Sequence, residues 1–162
     1  MIITIDSREK SPYEVVRYTT ETGSLAIGDY SIKGFENAVA IERKTIQDLT
    51  ACLSQSREIK RFEGELSRSR ALDFFAVIIE ATFADFVYSN NGSPKTCAKA
   101  RLNALLQLAV RYRVPLYFAG NREQARWLTI ALLESYWRQL TETAQAVKNA
   151  SEAEVLKQRE LI

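Results

Sequence analysis

The spacing of apolar and polar residues along the chain divides it into short strands and longer helices. "MIITID" at 1–6 alternates weakly and is β-branched, which predicts an opening strand ending at Asp6. "SREKSPYEVVRYTT" at 7–20 reads as a turn and a short helix with Pro12 near its start. Between 23 and 44 two glycine-punctuated breaks separate apolar runs, predicting strands near 24–27, 29–33 and 38–42 packed as a meander. Thr45 with Asp48 three residues on is a capping-box-like helix start for "IQDLTACL". A second helix, "SREIKRFEGELSRSR", places Ile59, Phe62 and Leu66 on one face.

The second half alternates more regularly. "DFFAVIIE" at 73–80 predicts a buried strand ending on Glu80, and "TFADFVYS" a short helix capped by Thr82. After an "NNGS" loop and Pro94, a long helix carries an apolar stripe through Leu102, Leu105, Leu106 and Ala109. "VPLYFAG" is a further strand, and "NREQARWLTIALLESYWRQL" a helix capped by Asn121. Residues 141–162 are polar helix material with few apolar anchors, expected to extend that helix or to fray. Strands alternating with helices after a meander predict an α/β domain with a mixed central sheet flanked by helices.

Composition narrows the chemistry. With 162 residues, 46% of them hydrophobic, the chain suits one packed domain and is short for two. A net charge of +2 permits a nucleic-acid partner without requiring one. No apolar run approaches the ~18 residues of a membrane span, and "MIITIDSREK" does not read as a signal peptide. Cys52 and Cys97 lack metal-ligand spacing and are expected to stay reduced, so an intracellular protein is the expectation. There is no histidine, which excludes Ser-His-Asp and Cys-His catalysis and the usual His-containing zinc sites. "GSPKT" at 92–96 lacks the spacing of a phosphate-binding loop. An enzyme built from this alphabet must use carboxylates, lysines, hydroxyls or a hard cation.

Four predicted strand ends or turns carry acids: Asp6, Asp29, Glu42 and Glu80. Taken singly, an acid at a strand end reads as solvated, and Asp48 has its capping role. Brought together, such acids repel and call for a cation. Lys44, two residues from Glu42, shares its face of an extended strand. A metal beside such a lysine suits phosphodiester hydrolysis.

The linked pattern is more specific than its parts. "GDY" at 28–30 and "ERKTIQD" at 42–48 fit a GD–(x)n–ERK–(x)3–D signature, and the chain thereby resembles the XPF family of structure-specific DNA endonucleases. "IDSRE" at 5–9 and "VIIE" at 77–80 resemble that family's flanking strands, so the likeness runs over roughly residues 1–138. It implies a restriction-endonuclease-like core within a nuclease domain over 1–140, followed by the tail 141–162. It implies Mg²⁺ or Mn²⁺ bound by Asp29 and Glu42 with Asp6 close by. Lys44 would act on the attacking water, Arg43 and Asp48 would support the site, and Arg8, Glu9 and Glu80 would surround it. The substrate implied is branched, flap or forked DNA.

Many members of that family carry a helix-hairpin-helix module after the nuclease domain. No paired hairpin turns of that kind occur here, so DNA is expected to be held by the domain's own surface, a dimer partner or an accessory DNA-binding protein. Lys95, Lys99, Arg101, Arg111 and Arg113 form one basic stretch without acids. Arg57, Lys60, Arg61, Arg68 and Arg70 form another, diluted by Glu58, Glu63 and Glu65. The helix 121–140 is apolar on more than one face, which predicts a homodimer through it and the neighbouring 97–111. The competing reading is a non-catalytic DNA-binding or scaffolding subunit, against which intact Asp29, Glu42 and Lys44 argue.

Overall fold

The structure, a computed structural model, describes residues 1–88 and 95–159, with the backbone alone for 95–97 and 153–159. The expected loop at 90–93, Pro94 and the side chains of Lys95 and Cys97 lie outside the described residues. In chain order the elements are β1 (Ile2–Asp6), β2 (Thr19–Gly23), β3 (Tyr30–Ile32), β4 (Val39–Lys44), α1 (Ile46–Ser54), α2 (Ser56–Ser69), β5 (Phe74–Ile79), α3 (Phe83–Tyr88), α4 (Lys95–Tyr112), β6 (Leu116–Phe118) and α5 (Arg122–Arg159).

The six strands form one mixed sheet in the order β2-β1-β3-β4-β5-β6. β3 runs antiparallel to β1 and β4, while the β1–β2, β4–β5 and β5–β6 pairs are parallel. This is the predicted mixed sheet between helices. Central parallel strands are commonly buried on both faces, and β4 and β5 read accordingly: Val39, Ala40, Ile41, Ala76, Val77, Ile78 and Ile79 are all buried.

Alternation along these strands feeds two cores. Ala40, Phe75, Val77 and Ile79 pack with Leu49, Phe62, Leu66, Phe86, Leu105 and Leu108 from α1 to α4. Val39, Ile41, Ala76 and Ile78 pack with Ile3, Tyr30, Ala125 and Leu133 on the α5 side. Each buried Leu, Ile or Phe side chain contributes about 1.5–3 kcal/mol of transfer free energy.

Several expectations are corrected. Residues 12–18 are not a helix, because their partners are distant: Tyr13 stacks on Tyr30 at 5.0 Å, and Arg122 and Arg126 of α5 bind the carbonyls of Ser11, Pro12 and Glu14. The strand expected at 24–27 is instead the polar 19–23, paired in parallel with β1. Leu106 of α4 is exposed and Leu108 takes its place in the core.

α4 and α5 also lie on opposite sheet faces, so they do not form one joint surface. Leu133 of α5 is buried against the sheet, Leu128, Ile130, Leu132, Tyr136 and Trp137 are half-buried beside it, and Trp127 is exposed. No helix among the described residues is long and apolar enough to cross a membrane.

Candidate active site

The turn before β3 is held open by glycine. Gly28 has φ of +76°, and a Cβ there would sit 3.0 Å from the Cβ of Ala40 and 3.1 Å from the Ile41 carbonyl oxygen. Asp29 is then stitched on both sides: its N–H donates to the Ile41 carbonyl at 2.8 Å, and its own carbonyl accepts from the Asp6 N–H at 2.8 Å. The Arg43 N–H donates to Asp29 Oδ2 at 2.8 Å, leaving Oδ1 without a donor among the described residues. The carboxylate is thus fixed by backbone against the end of β4.

Glu42 and Lys44 point from β4 to the α1/α2 side. Both are buried, and the Lys44 ammonium donates to Glu42 Oε1 while lying 5.0 Å above the Phe62 ring. Burial, reinforced by the nearby Glu9 and Glu65, raises the Asp29 carboxyl to about 6. Burial likewise lifts Glu42 well above its ordinary value, with Lys44 opposing and Asp29 and Glu65 adding to the rise. For Lys44, burial works against the charge, but Glu42 and Glu65 outweigh it and keep the group an ammonium. Carboxylates that resist ionisation because they are crowded and desolvated are the donor chemistry a hard cation satisfies.

Asp6 lines the same cleft with its oxygens engaged by the protein. Its two oxygens accept from the Arg8 N–H, the Arg8 guanidinium and the Leu25 N–H at 2.7–3.0 Å. Burial opposes ionisation, yet these bonds hold its carboxyl below the ordinary range. Asp6 and Arg8 therefore tie the chain after β1 to the 25–29 turn. Among the described residues no three acidic or thiol side chains form a ready-made metal cage, so a cation here would rely on Asp29 and Glu42 with water and phosphate oxygens, as Mg²⁺ commonly does.

Arg43 faces the other way. Successive strand residues alternate, and the Arg43 guanidinium lies on the α5 side between Glu80 at 2.8 Å and Glu9 at 3.3 Å. Arg122 adds a bond to Glu80 at 3.1 Å, and both arginines lie over the Tyr13 ring. Burial opposes the Arg43 charge, but Glu80 and Glu9 hold it firmly protonated. Arg43, Glu9 and Glu80 thus form an ion-pair network on the α5 side of the sheet, and Glu9 and Arg43 also line the cleft.

Asp48 lines the cleft, and its carboxylate accepts from the Thr45 hydroxyl at 2.7 Å while the Asp48 N–H returns a bond of 3.1 Å. The cleft itself, about 700 Å³, runs from the loop after β1 across Asp29, Glu42 and Lys44 to Arg61, Glu65 and Arg68 of α2.

Comparison with known proteins places this arrangement. A family model described as the ERCC4 domain matches residues 5–130, most of the chain. The chain belongs to the ERCC4-domain family. No curated protein sequence matches it. The fold is similar to XPF from Aeropyrum pernix, with a TM-score of 0.64 at 17% identity over 90% of this chain and 69% of that one. It is also similar to XPF from Aeropyrum pernix solved in complex with DNA, with a TM-score of 0.62 at 18% identity over 85% and 66%.

Within this ERCC4 domain the cleft acids are ringed by exposed cations: Arg8 and Lys10 on the β1 side, Arg61 and Arg68 on the α2 side. Arg57 and Lys60 are exposed but do not line the cleft. On α4, Arg101 is only 7% exposed, Arg111 pairs with Glu63 at 3.1 Å, and Lys99 is exposed away from the cleft. Burial makes Arg101 unsuited to gripping phosphate. Sequence reasoning also missed Glu65, treating it only as dilution of a basic helix. The signal was present: Glu65 lies three residues after Phe62 and next to Leu66, at the inward edge of α2.

Proposed function

We propose that this ERCC4 domain is a divalent-metal-dependent DNA endonuclease acting on branched or forked DNA. The observation that carries the reading is the pair of carboxylates, half-buried Asp29 and buried Glu42, beside a buried ammonium, Lys44, in a cleft rimmed by cations. Asp29 and Glu42 would hold Mg²⁺ or Mn²⁺, which when bound polarises a phosphate oxygen and acidifies a water. Because Lys44 stays protonated, it serves as a donor to charge developing on the phosphate or to the attacking oxygen, and not as a base. Arg8, Lys10, Arg61 and Arg68 supply contacts to the DNA backbone on both sides of the acids. Such contacts position DNA without reading its sequence. The preference for branched DNA is carried over from the family, whose members include structure-specific DNA nucleases.

The test is a panel of flap, fork, four-way junction and plain duplex DNA, with Mg²⁺ and with a chelator. Cleavage of a branched member that requires the cation is expected. No cleavage anywhere, or cleavage indifferent to chelation, would sink the reading.

The rim gives a second measurable outcome. Neutralising Lys10, Arg61 and Arg68 together should lower the log–log salt slope of duplex binding by roughly 2.7, about 0.9 for each phosphate no longer gripped. Lys99→Gln should leave it unchanged. An unaltered slope in the triple variant would move the DNA path off this rim.

For a homodimer, one available surface is α4, where exposed Leu106 and Val110 border a shallow groove with Asn103, Gln107 and Arg111, and another is the flank of α5 around exposed Trp127. Sedimentation as an 18.4 kDa monomer at micromolar concentration would remove that partner.

A further inference from the structure

Residues 7–18 form neither helix nor strand, so what holds them must come from elsewhere. Ser7 and Arg8 are tied to the sheet: the Ser7 N–H donates to the Gly23 carbonyl at 2.7 Å, and the Arg8 guanidinium binds Asp6 and the Leu25 carbonyl. Beyond Lys10 the segment becomes a strap along α5. Arg122 donates to the carbonyls of Ser11 at 2.7 Å and Pro12 at 3.0 Å, and Arg126 to that of Glu14 at 3.2 Å. Glu134 then receives Arg17 at 3.1 Å and the Tyr18 hydroxyl at 2.6 Å. The strap follows α5 over about three turns.

The near end of the strap is a wall of the cleft, lined there by Arg8, Glu9, Lys10 and Ser11. Lys10 is exposed and makes no ion pair with the described residues, while both its neighbours are pinned. Glu9 is held by Arg43 at 3.3 Å, and its carboxylate accepts from the Ser11 N–H at 2.6 Å. Ser11 is held by Arg122, and no other described residue donates to the Ser11 or Pro12 carbonyl. Arg122 is itself fixed, by Glu80 at 3.1 Å and by the Tyr13 ring 5.0 Å away. A guanidinium suits this place because its planar fork of N–H donors can bind two successive carbonyls and a carboxylate at once. A rim cation on an unanchored backbone would have to be ordered at the moment of binding, at the cost of chain entropy.

We infer that Arg122 is a positioning residue for DNA binding: by clamping the Ser11 and Pro12 carbonyls it holds Lys10 at the cleft mouth, ready to meet a backbone phosphate. Arg122 touches neither the DNA nor the cleft acids in this scheme. The inference rests on the reading of the cleft as a DNA site, and it names a residue outside both the signature and the cleft lining.

The test compares Arg122→Met, which keeps the stem and removes the donors, with Arg122→Lys, whose ammonium can still donate to the two carbonyls. The Arg122 side chain is 43% exposed and Glu80 keeps Arg43 at 2.8 Å, so both variants should fold, as melting curves would confirm. Binding of a forked duplex in chelator, and kcat and KM with Mg²⁺, are measured for each. Arg122→Met is expected to raise Kd and KM about 5- to 30-fold, the equivalent of ordering one backbone residue anew. Its kcat should stay at the wild-type value, because Asp29, Glu42 and Lys44 are held at β4, and Arg122→Lys should recover part of the affinity. Lys10→Gln should weaken binding in the wild type but add little to Arg122→Met, since the second change removes a cation already released. In the free Met variant the Tyr13 amide, bonded to the Tyr30 hydroxyl at 2.8 Å, should exchange faster. An unchanged Kd in Arg122→Met would overturn the inference, as would a fall in kcat at constant KM. Fully additive losses in the double variant would also overturn it, because Arg122 would then grip phosphate itself. A wild-type chain that binds no DNA would instead overturn the nuclease reading, a result distinct from all of these.

Discussion

Asp29→Asn and Glu42→Gln should each slow cleavage by about 10²- to 10³-fold or more, as loss of one charge-handling group in a dry site does. Asp29→Asn should be more stable than the wild type near neutral pH when no divalent cation is present, whereas Glu42→Gln should be less stable, because it strips the buried Lys44 ammonium of its partner. A carboxyl whose folded-state pKa lies above its unfolded value takes up a proton on folding. It therefore favours folding least at high pH: stability falls as pH rises from the ordinary carboxylate value through the raised one. For Asp29 that window runs from 3.8 to about 6. Removing the charge can return at most about 3 kcal/mol, and less where Asp29, Glu42 and Glu65 share the repulsion. Thermal melts in chelator should show Asp29→Asn ahead at about pH 8 and level with the wild type at about pH 4. Added Mg²⁺ should then raise the wild type more than either variant. A variant stabilised by Mg²⁺ as much as the wild type would remove that residue from the cation site.

The second large effect concerns Arg43. Its side chain is 11% exposed, between Glu9 at 7% and Glu80 at 8%. Arg43→Met keeps the apolar stem but leaves two buried carboxylates with less compensation, and removing one partner of a buried ion pair costs about 3–5 kcal/mol. Arg122 still reaches Glu80, which places the expected loss toward the lower figure. Arg43→Lys should recover only part, since an ammonium cannot span both acids as a guanidinium fork does. Urea denaturation measures this directly. A loss below about 1 kcal/mol, the range of exposed pairs, would show that this network is not holding the fold. Cleavage per folded molecule should fall less than in the Asp29 and Glu42 variants, because the guanidinium is bound to Glu9 and Glu80 rather than to either of those acids.

Where the sequence was legible, local physics was in charge. β4 and β5 are continuous apolar runs, and their buried centres follow from that alone. Thr45 and Asp48, and Thr82 and Asp85, are caps that can be read from neighbours three residues apart. Asp29, Glu42 and Lys44 share one cleft, as the linked pattern implied. The misreadings share a cause. Residues 12–18 are shaped by Arg122 and Arg126, more than a hundred positions away. Asp6 is taken up by Arg8 and Leu25, a partnership that residue type does not reveal. Arg43, expected to support the site, is paired with Glu9 and Glu80. Strand alternation, already invoked to put Glu42 and Lys44 on one face, puts Arg43 on the other. The apolar residues of α5 are shared between the sheet and a half-buried flank, and only the three-dimensional stacking of α5 decides that division.

The close approach of Gly28 to Ala40 makes the two halves of the signature a single module. Neither position tolerates bulk: the Cβ atoms would meet at 3.0 Å even with alanine at 28. The turn that carries one acid and the strand that carries the other are therefore keyed together by the smallness of two side chains. A chimera that takes the strand from a relative with a larger residue at 40 would inherit Glu42 and Lys44 intact and still displace Asp29. Shuffling such domains should succeed when the turn and the strand travel together, with crossovers outside residues 28–44.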